Sequence, residues 1–254
     1  MAPPALSGQR VLVTIPISHY CEKARWALER ARLDFQERRH VQGIHMLAVK
    51  RARGGRTAPV LVTGEGVFSE SCDILAYCDR FVAPERALYP AGDEEAVELE
   101  RRFDCVLGPE GRRWMYQQAL GAPELFTPFN LTGVPGWEAR LFPILMPVAN
   151  VGIKRYLDVS EGTAAIAKTR VDAEFDAIAK RLSDGRRYLT GDRFTAADLT
   201  FAALSAAVLA PPEYGVPLPQ PEQMQSELAA QFRAWREHPA GEFALRIFRD
   251  ERRS

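Results

Sequence analysis

The 254-residue chain has no excess charge of either sign: Lys and Arg number 33, and so do Asp and Glu. A protein that tracks phosphate backbones would carry a basic excess or stripe, so nucleic acid is not an expected partner. The short arginine patches at 51–56, 186–187 and 252–253 read as solvated surface. Long apolar runs are also missing. The longest, 141–153, is too short to cross a bilayer and contains Pro143 and Pro147. Those prolines are expected to break any continuous apolar helix face, which disfavours a surface membrane contact as well. The opening Met-Ala-Pro-Pro-Ala-Leu-Ser-Gly has neither a basic start nor an apolar segment, so no signal peptide is expected. Cysteine is scarce, and Cys21, Cys72, Cys78 and Cys105 fit no zinc spacing. Reduced thiols, a cytoplasmic location and no metal are the expectation.

What remains is ordinary globular composition, 46% apolar and 26% charged, in a chain long enough for one large or two small domains. The β-branched run at 10–15 predicts a buried strand, and the apolar spacing over 19–32 predicts a helix. Residues 34–40 are a weak strand because they are polar, and 42–52 form a short helix or loop. Residues 59–63, Gly64-Glu65-Gly66 and Val67-Phe68 predict a hairpin, followed by a helix opening at Ser69 or Glu70. The linker is 83–93, after which the β signal disappears. Helical patterns cover about 94–118, 137–157, 161–183, 196–209 and 225–236. The domains expected are therefore an α/β unit over 1–82 and an all-α unit over 94–254.

Three stretches of the first unit carry chemistry. Ser18-His19-Tyr20-Cys21 lies where a strand gives way to a helix. Free amides and the positive end of the helix dipole collect there, and they favour a thiolate. Ser18 can add a hydroxyl donor or can simply cap the helix. Thr57-Ala58-Pro59 enters the next strand through a proline, either as a trans turn or as a cis bond that would aim the Ala58 backbone at a ligand. Glu70-Ser71 opens a helix, where it can complement the dipole or hold a zwitterion, Glu70 on the ammonium and Ser71 with the amides on the carboxylate. In the second unit, Phe194-Thr195 through Asp198-Leu199 is a capping-box variant with staple spacing and reads as structure.

In this order and spacing, these motifs resemble the cytosolic glutathione S-transferase family, of the serine- or cysteine-type and bacterial-like. The resemblance implies an α/β thioredoxin-like N-terminal domain that binds glutathione and an all-α C-terminal domain that forms the electrophile pocket. By position Ser18 resembles the catalytic residue that contacts the glutathione sulfur. Ala58 and Pro59 resemble the cis-proline turn, and Glu70 and Ser71 the pair that grips the γ-glutamyl group. The family often has proline after the catalytic residue; here it is His19, either an exposed first-turn residue or a donor near the thiolate. Cys21 is only the second half of a C-x-x-C and reads as packing, which argues against dithiol exchange.

The implied activity is transfer of the glutathione thiolate to a small, largely apolar electrophile, a detoxification-type conjugation with glutathione as co-substrate, by a homodimer with no membrane span. His45, Lys50 and Arg56 are further candidates for glutathione contact, and Trp114 and Tyr116 for the electrophile wall. The alternatives are a glutathione-dependent reductase or peroxidase on the same fold and a non-catalytic binding module.

Overall fold

The computed structural model describes residues 9–253. The opening stretch without signal-peptide features, and the start of the first domain at residue 1, lie outside them. Strand β1 (Arg10–Thr14) leads into helix α1 (His19–Arg30), strand β2 (Phe35–Arg39) and the short helix α2 (His45–Arg51). The hairpin β3 (Val60–Val62) and β4 (Val67–Phe68) then precedes helix α3 (Ser71–Asp79). The sheet order is β2-β1-β3-β4, with β1 and β2 parallel and the other pairs antiparallel. This is the thioredoxin-like arrangement, and it puts the C-terminal end of β1 directly before α1.

Polarity misleads at β2. Its inward side chains are Phe35, Glu37 and Arg39, and Glu37 accepts from the Thr14 hydroxyl at 2.7 Å and from Arg25 Nε at 2.9 Å. A buried cation on α1 therefore requires an acid where a strand would ordinarily bury an aliphatic residue.

Among the described residues, the regular elements after residue 83 are helices: α4 (Glu94–Arg102), a π-helical turn (Phe103–Leu107), α5 (Gly108–Gly121), α6 (Pro123–Asn130), α7 (Gly136–Tyr156), α8 (Glu161–Leu182), α9 (Ala196–Leu209), α10 (Ser226–Glu237) and α11 (Pro239–Glu251), with single 3-10 turns at Pro84–Arg86 and Pro221–Gln223. Two of these helices, α6 and α11, fall outside the sequence pattern. Each has proline at its first position, where the missing N–H costs nothing. A further correction concerns α7: Pro143 and Pro147 lie inside one helix, so its apolar face, with Leu141, Ile144, Leu145 and Val151 exposed, is not interrupted. Even so, among the described residues no helix is long and apolar enough to cross a membrane.

Helix α9 is buried on nearly every side and is the centre of the helical half, packed by α4, α5 and α11 and by α1 from the first half. Its N-terminus carries the predicted capping box, with Phe194 and Leu199 both buried. Where α1 meets the helical half, its inward charges are answered from across the boundary. Lys23 pairs with Glu100 at 2.8 Å and with Asp104 at 2.7 Å. Glu22 accepts from Arg25 at 2.5 Å, from Arg252 at 2.6 Å and from the Gly215 amide at 3.1 Å. Arg252 is thus not solvated surface, as its sequence context suggests, but buried against Glu22, Glu29 and the Trp26 ring. Removing one partner of such a buried pair costs about 3–5 kcal/mol. These contacts fix the direction of α1, and so the place of its first residues.

Candidate active site

Ser18 is the N-cap of α1, with extended backbone (φ −71°, ψ 121°). Its Oγ accepts from the Cys21 amide at a long 3.4 Å, and its carbonyl takes the Glu22 amide at 2.9 Å. The hydroxyl proton has no oxygen acceptor and reaches only the buried Cys21 thiol, so it is available to a stronger acceptor, and the amides of His19 and Tyr20, as the first of the helix, have no intrahelical carbonyl. Cys21 is fully buried, accepts from the Ile15 amide at 3.4 Å, and has its thiol pushed up to about 11 by burial. It is packing, as its spacing suggests.

His19 is neither exposed nor a charged donor. It is 6% exposed, and burial, aided by the Arg112 guanidinium, lowers its imidazole to about 3, so it is neutral. The expectation of an exposed first-turn residue fails because α5 covers that side of α1. Tyr20 is held by the same helix pair: its ring lies 4.7 Å from that of His19, and its hydroxyl donates to the Asp104 carbonyl at 2.8 Å. That approach requires glycine at 108, since a Cβ there would lie 2.2 Å from the Tyr20 hydroxyl oxygen.

The Ala58–Pro59 peptide is cis. The ladder between β3 and β1 begins only at Val60, opposite Val13, so the Ala58 backbone lies ahead of it. Glu70 is the N-cap of α3 yet makes no capping bond with its side chain, which is exposed, while Ser71 is buried at the first helical position. Of the basic candidates, Lys50 and Arg56 are exposed. His45 accepts from the Gly43 amide at 3.1 Å and is lowered to about 4, by burial first and then by His40.

The two wall candidates separate. Gly108, Arg112 and Tyr116 recur every four residues along one face of α5. Gly108 and Arg112 meet Tyr20, and the Tyr116 hydroxyl takes the Gln42 side-chain amide. Trp114 lies on the other side. It is 6% exposed, packs on Phe232 and edge-on to Trp235 at 4.6 Å, and borders a cavity of about 480 Å³ with Gln118, Leu125, Ala164 and Leu228. It is a core residue of the helical half and not part of the face turned to α1.

Sequence reasoning missed Arg112, Gln42 and the pair His40–Glu138. Glu138 at the start of α7 is fully buried, meets His40 Nδ1 at 2.6 Å and accepts from the Val41 amide at 2.9 Å. It clamps the segment after β2 to the helical half. The fourfold spacing of Gly108, Arg112 and Tyr116 is the one available signal. Among the described residues, no group of three or more His, Cys, Asp and Glu side chains could hold a metal ion.

Comparison with known proteins places the chain in a family. Residues 12–85 match the glutathione S-transferase N-terminal domain and residues 161–238 the glutathione S-transferase C-terminal domain, together more than half of the chain. The chain belongs to the glutathione S-transferase family of enzymes. No curated protein matches it. Among solved structures, it is similar to a glutathione S-transferase of Ceriporiopsis subvermispora in complex with glutathione, at 14% identity and a TM-score of 0.60, over 96% of this chain and 100% of the other. It is also similar to one from Rhodospirillum rubrum (19% identity, TM-score 0.54, 95% and 98% covered). A third is from Methylobacillus flagellatus with glutathione bound (14%, 0.54, 92% and 98%). At these identities the likeness is one of fold.

Proposed function

We propose that the protein is a glutathione transferase that joins the glutathione thiolate to a small, largely apolar electrophile. The observation that carries this reading is the open start of α1. The Ser18 hydroxyl proton has no oxygen acceptor, and the neighbouring amides lack intrahelical acceptors. Such a helix start stabilises a thiolate by its dipole and by direct hydrogen bonds. Ala58 offers a backbone edge beside the cis bond to Pro59, and Glu70 with Ser71 offers a carboxylate and a helix start for the γ-glutamyl ammonium and carboxylate. The thiol proton leaves to solvent, and the sulfur attacks the carbon held beside it. The gain comes from proximity and a larger thiolate fraction. Tyr116, on the α5 face turned to α1, is the wall residue of this reading. A homodimer and a cytoplasmic setting accompany it as expectations.

The test is calorimetric titration of glutathione into the protein and into Ser18→Ala, with ultraviolet absorbance following the bound thiolate. The expected result is binding in both, with a thiolate band at neutral pH that is weaker in Ser18→Ala. No binding at millimolar glutathione would remove the reading.

A further inference from the structure

Among the described residues, every arginine that is buried or part-buried has an ion pair or a hydrogen bond, with one exception. Arg113 pairs with Glu110 at 2.5 Å and donates to the Leu157 carbonyl at 3.1 Å. Arg25, Arg39 and Arg252 share Glu22 and Glu37. Arg10, Arg86, Arg193 and Arg236 donate to a tyrosine hydroxyl or to carbonyls. Arg112 has neither kind of partner. Its Nε is buried and unbonded, and its guanidinium carbon stands 5.9 Å from the centre of the Tyr20 ring.

A second unsatisfied group lies across from it. His19 is 6% exposed, and its Nε2 has no partner. A part-buried cation with no counter-ion and a buried, unbonded Nε, beside a buried ring nitrogen without a bond, is costly, and a structure that satisfies its other part-buried arginines leaves these two together. They sit one residue from Ser18 on one side and on the Gly108–Tyr116 face of α5 on the other. The guanidinium is a planar donor fork that matches a carboxylate in two-point geometry.

From this we infer that Arg112, supported by His19, recognises a carboxylate on the electrophile, so that the co-substrate is an apolar acid and not a neutral molecule. The inference rests on the transferase reading for the reaction but not for the binding. Glutathione's γ-glutamyl end has Glu70 and Ser71 on the other element, and its glycyl carboxylate has the exposed Lys50 and Arg56 of the first half, which leaves Arg112 for the second substrate. With a chloroarene acid the step is simple substitution. The thiolate forms the sulfur–carbon bond, the carbon–chlorine bond breaks, chloride leaves with the bonding pair, and the thiol proton has already passed to solvent.

The experiment uses the full chain with two matched pairs of probes. The reactive pair is 4-chloro-3,5-dinitrobenzoate and its methyl ester, each with glutathione and corrected for the uncatalysed rate. The unreactive pair is 3,5-dinitrobenzoate and its methyl ester, titrated without glutathione. The parent is expected to prefer the acid over the ester in kcat/KM by about ten-fold or more, in line with a hydrogen-bonded charge pair. In Arg112→Gln the preference falls toward unity and 3,5-dinitrobenzoate binds about ten-fold more weakly, while Arg112→Lys keeps part of both. Equal treatment of acid and ester by the parent would overturn the inference, as would an unchanged ratio in Arg112→Gln. A loss of glutathione affinity in that variant with no change in the ratio would also overturn it, and would place glutathione's own carboxylate on Arg112. If the parent binds 3,5-dinitrobenzoate through Arg112 but does not bind glutathione, the transferase reading fails and the anion site stands.

Discussion

Helices α1 and α9, like α8, start with a hydroxyl N-cap, but the first two use it in opposite ways. At α9, Asp198 accepts from the Leu189 amide at 2.7 Å, the Thr195 amide at 2.9 Å and the Thr195 hydroxyl at 3.0 Å, and both Thr195 and Asp198 are fully buried. Hydroxyl proton and carboxylate are spent on the same closed network. At α1, Ser18 accepts one long bond of 3.4 Å, its hydroxyl proton has no oxygen acceptor, and the third helical position, where α9 has its acid, is Cys21. A closed start is a structural device. An open one, held in place by buried ion pairs further down the helix, is a place for a ligand anion.

The sharpest way to break this contrast is at the closed start. Asp198→Ala strands two buried amides and a hydroxyl, which is worth about 4 kcal/mol and a melting midpoint lower by roughly ten degrees. A loss under about 1 kcal/mol by chemical denaturation would mean that the network is not structural.

The next effect is in the pH dependence, where the two starts have opposite signs. His19 titrates near 3 when folded and near 6.5 when unfolded. Its unfolded form therefore takes up a proton first, and stability falls as pH drops from 6.5 toward 3, by about 3 kcal/mol at pH 4. His45, lowered to about 4, adds in the same direction. Asp198 is raised to about 6 by burial, so the folded form binds the proton first and stability from this group is lost as pH rises from about 4 through 6. Urea midpoints of His19→Gln between pH 7 and 4 should fall less steeply than those of the parent. Parallel profiles would show that His19 is not buried neutral.

At the other helix start facing the site, Glu70→Gln removes a charge that caps nothing in the fold. The expected change is a glutathione Kd weaker by about twenty-fold, near 2 kcal/mol for a charged hydrogen bond, with little change in thermal midpoint. The converse, lost stability with unchanged binding, would return Glu70 to ordinary dipole complementation of α3.

The parts legible in the sequence were those where local pattern and tertiary role coincide. Strand β1, helix α1, the β3–β4 hairpin and the α9 cap were visible because burial, turn residues and capping chemistry agree at those positions. Reading failed where one part of the chain answers another. The polar β2 is inward-facing because Arg25 needs Glu37. His19 looked exposed because nothing in its neighbourhood announces that α5 will cover it. Arg252 looked like a basic tail because Glu22 is far away in sequence. The fourfold spacing could place Arg112 on a helix face with Gly108 and Tyr116, but what marks it is a missing partner, and the lack of a partner exists only once the other side chains have been placed.

The smallest expected effect is also the most direct test of the open start. Ser18→Ala deletes a hydroxyl whose contacts in the fold are a long bond from the Cys21 amide and the neutral Cys21 thiol, so the stability change should stay at about 0.5 kcal/mol, the low end for a lost cap. The same deletion removes a donor to the bound sulfur. The pKa of bound glutathione is expected to rise by about one unit, which is about 1.4 kcal/mol, and kcat/KM at neutral pH to fall about ten-fold, with less loss at higher pH as the thiolate forms without help. The measurement is the thiolate absorbance of the complex against pH, run beside the urea midpoint of the same variant. A one-unit shift at nearly constant stability separates the two helix starts. A large stability loss with an unshifted thiol would make Ser18 a cap of the same kind as Thr195.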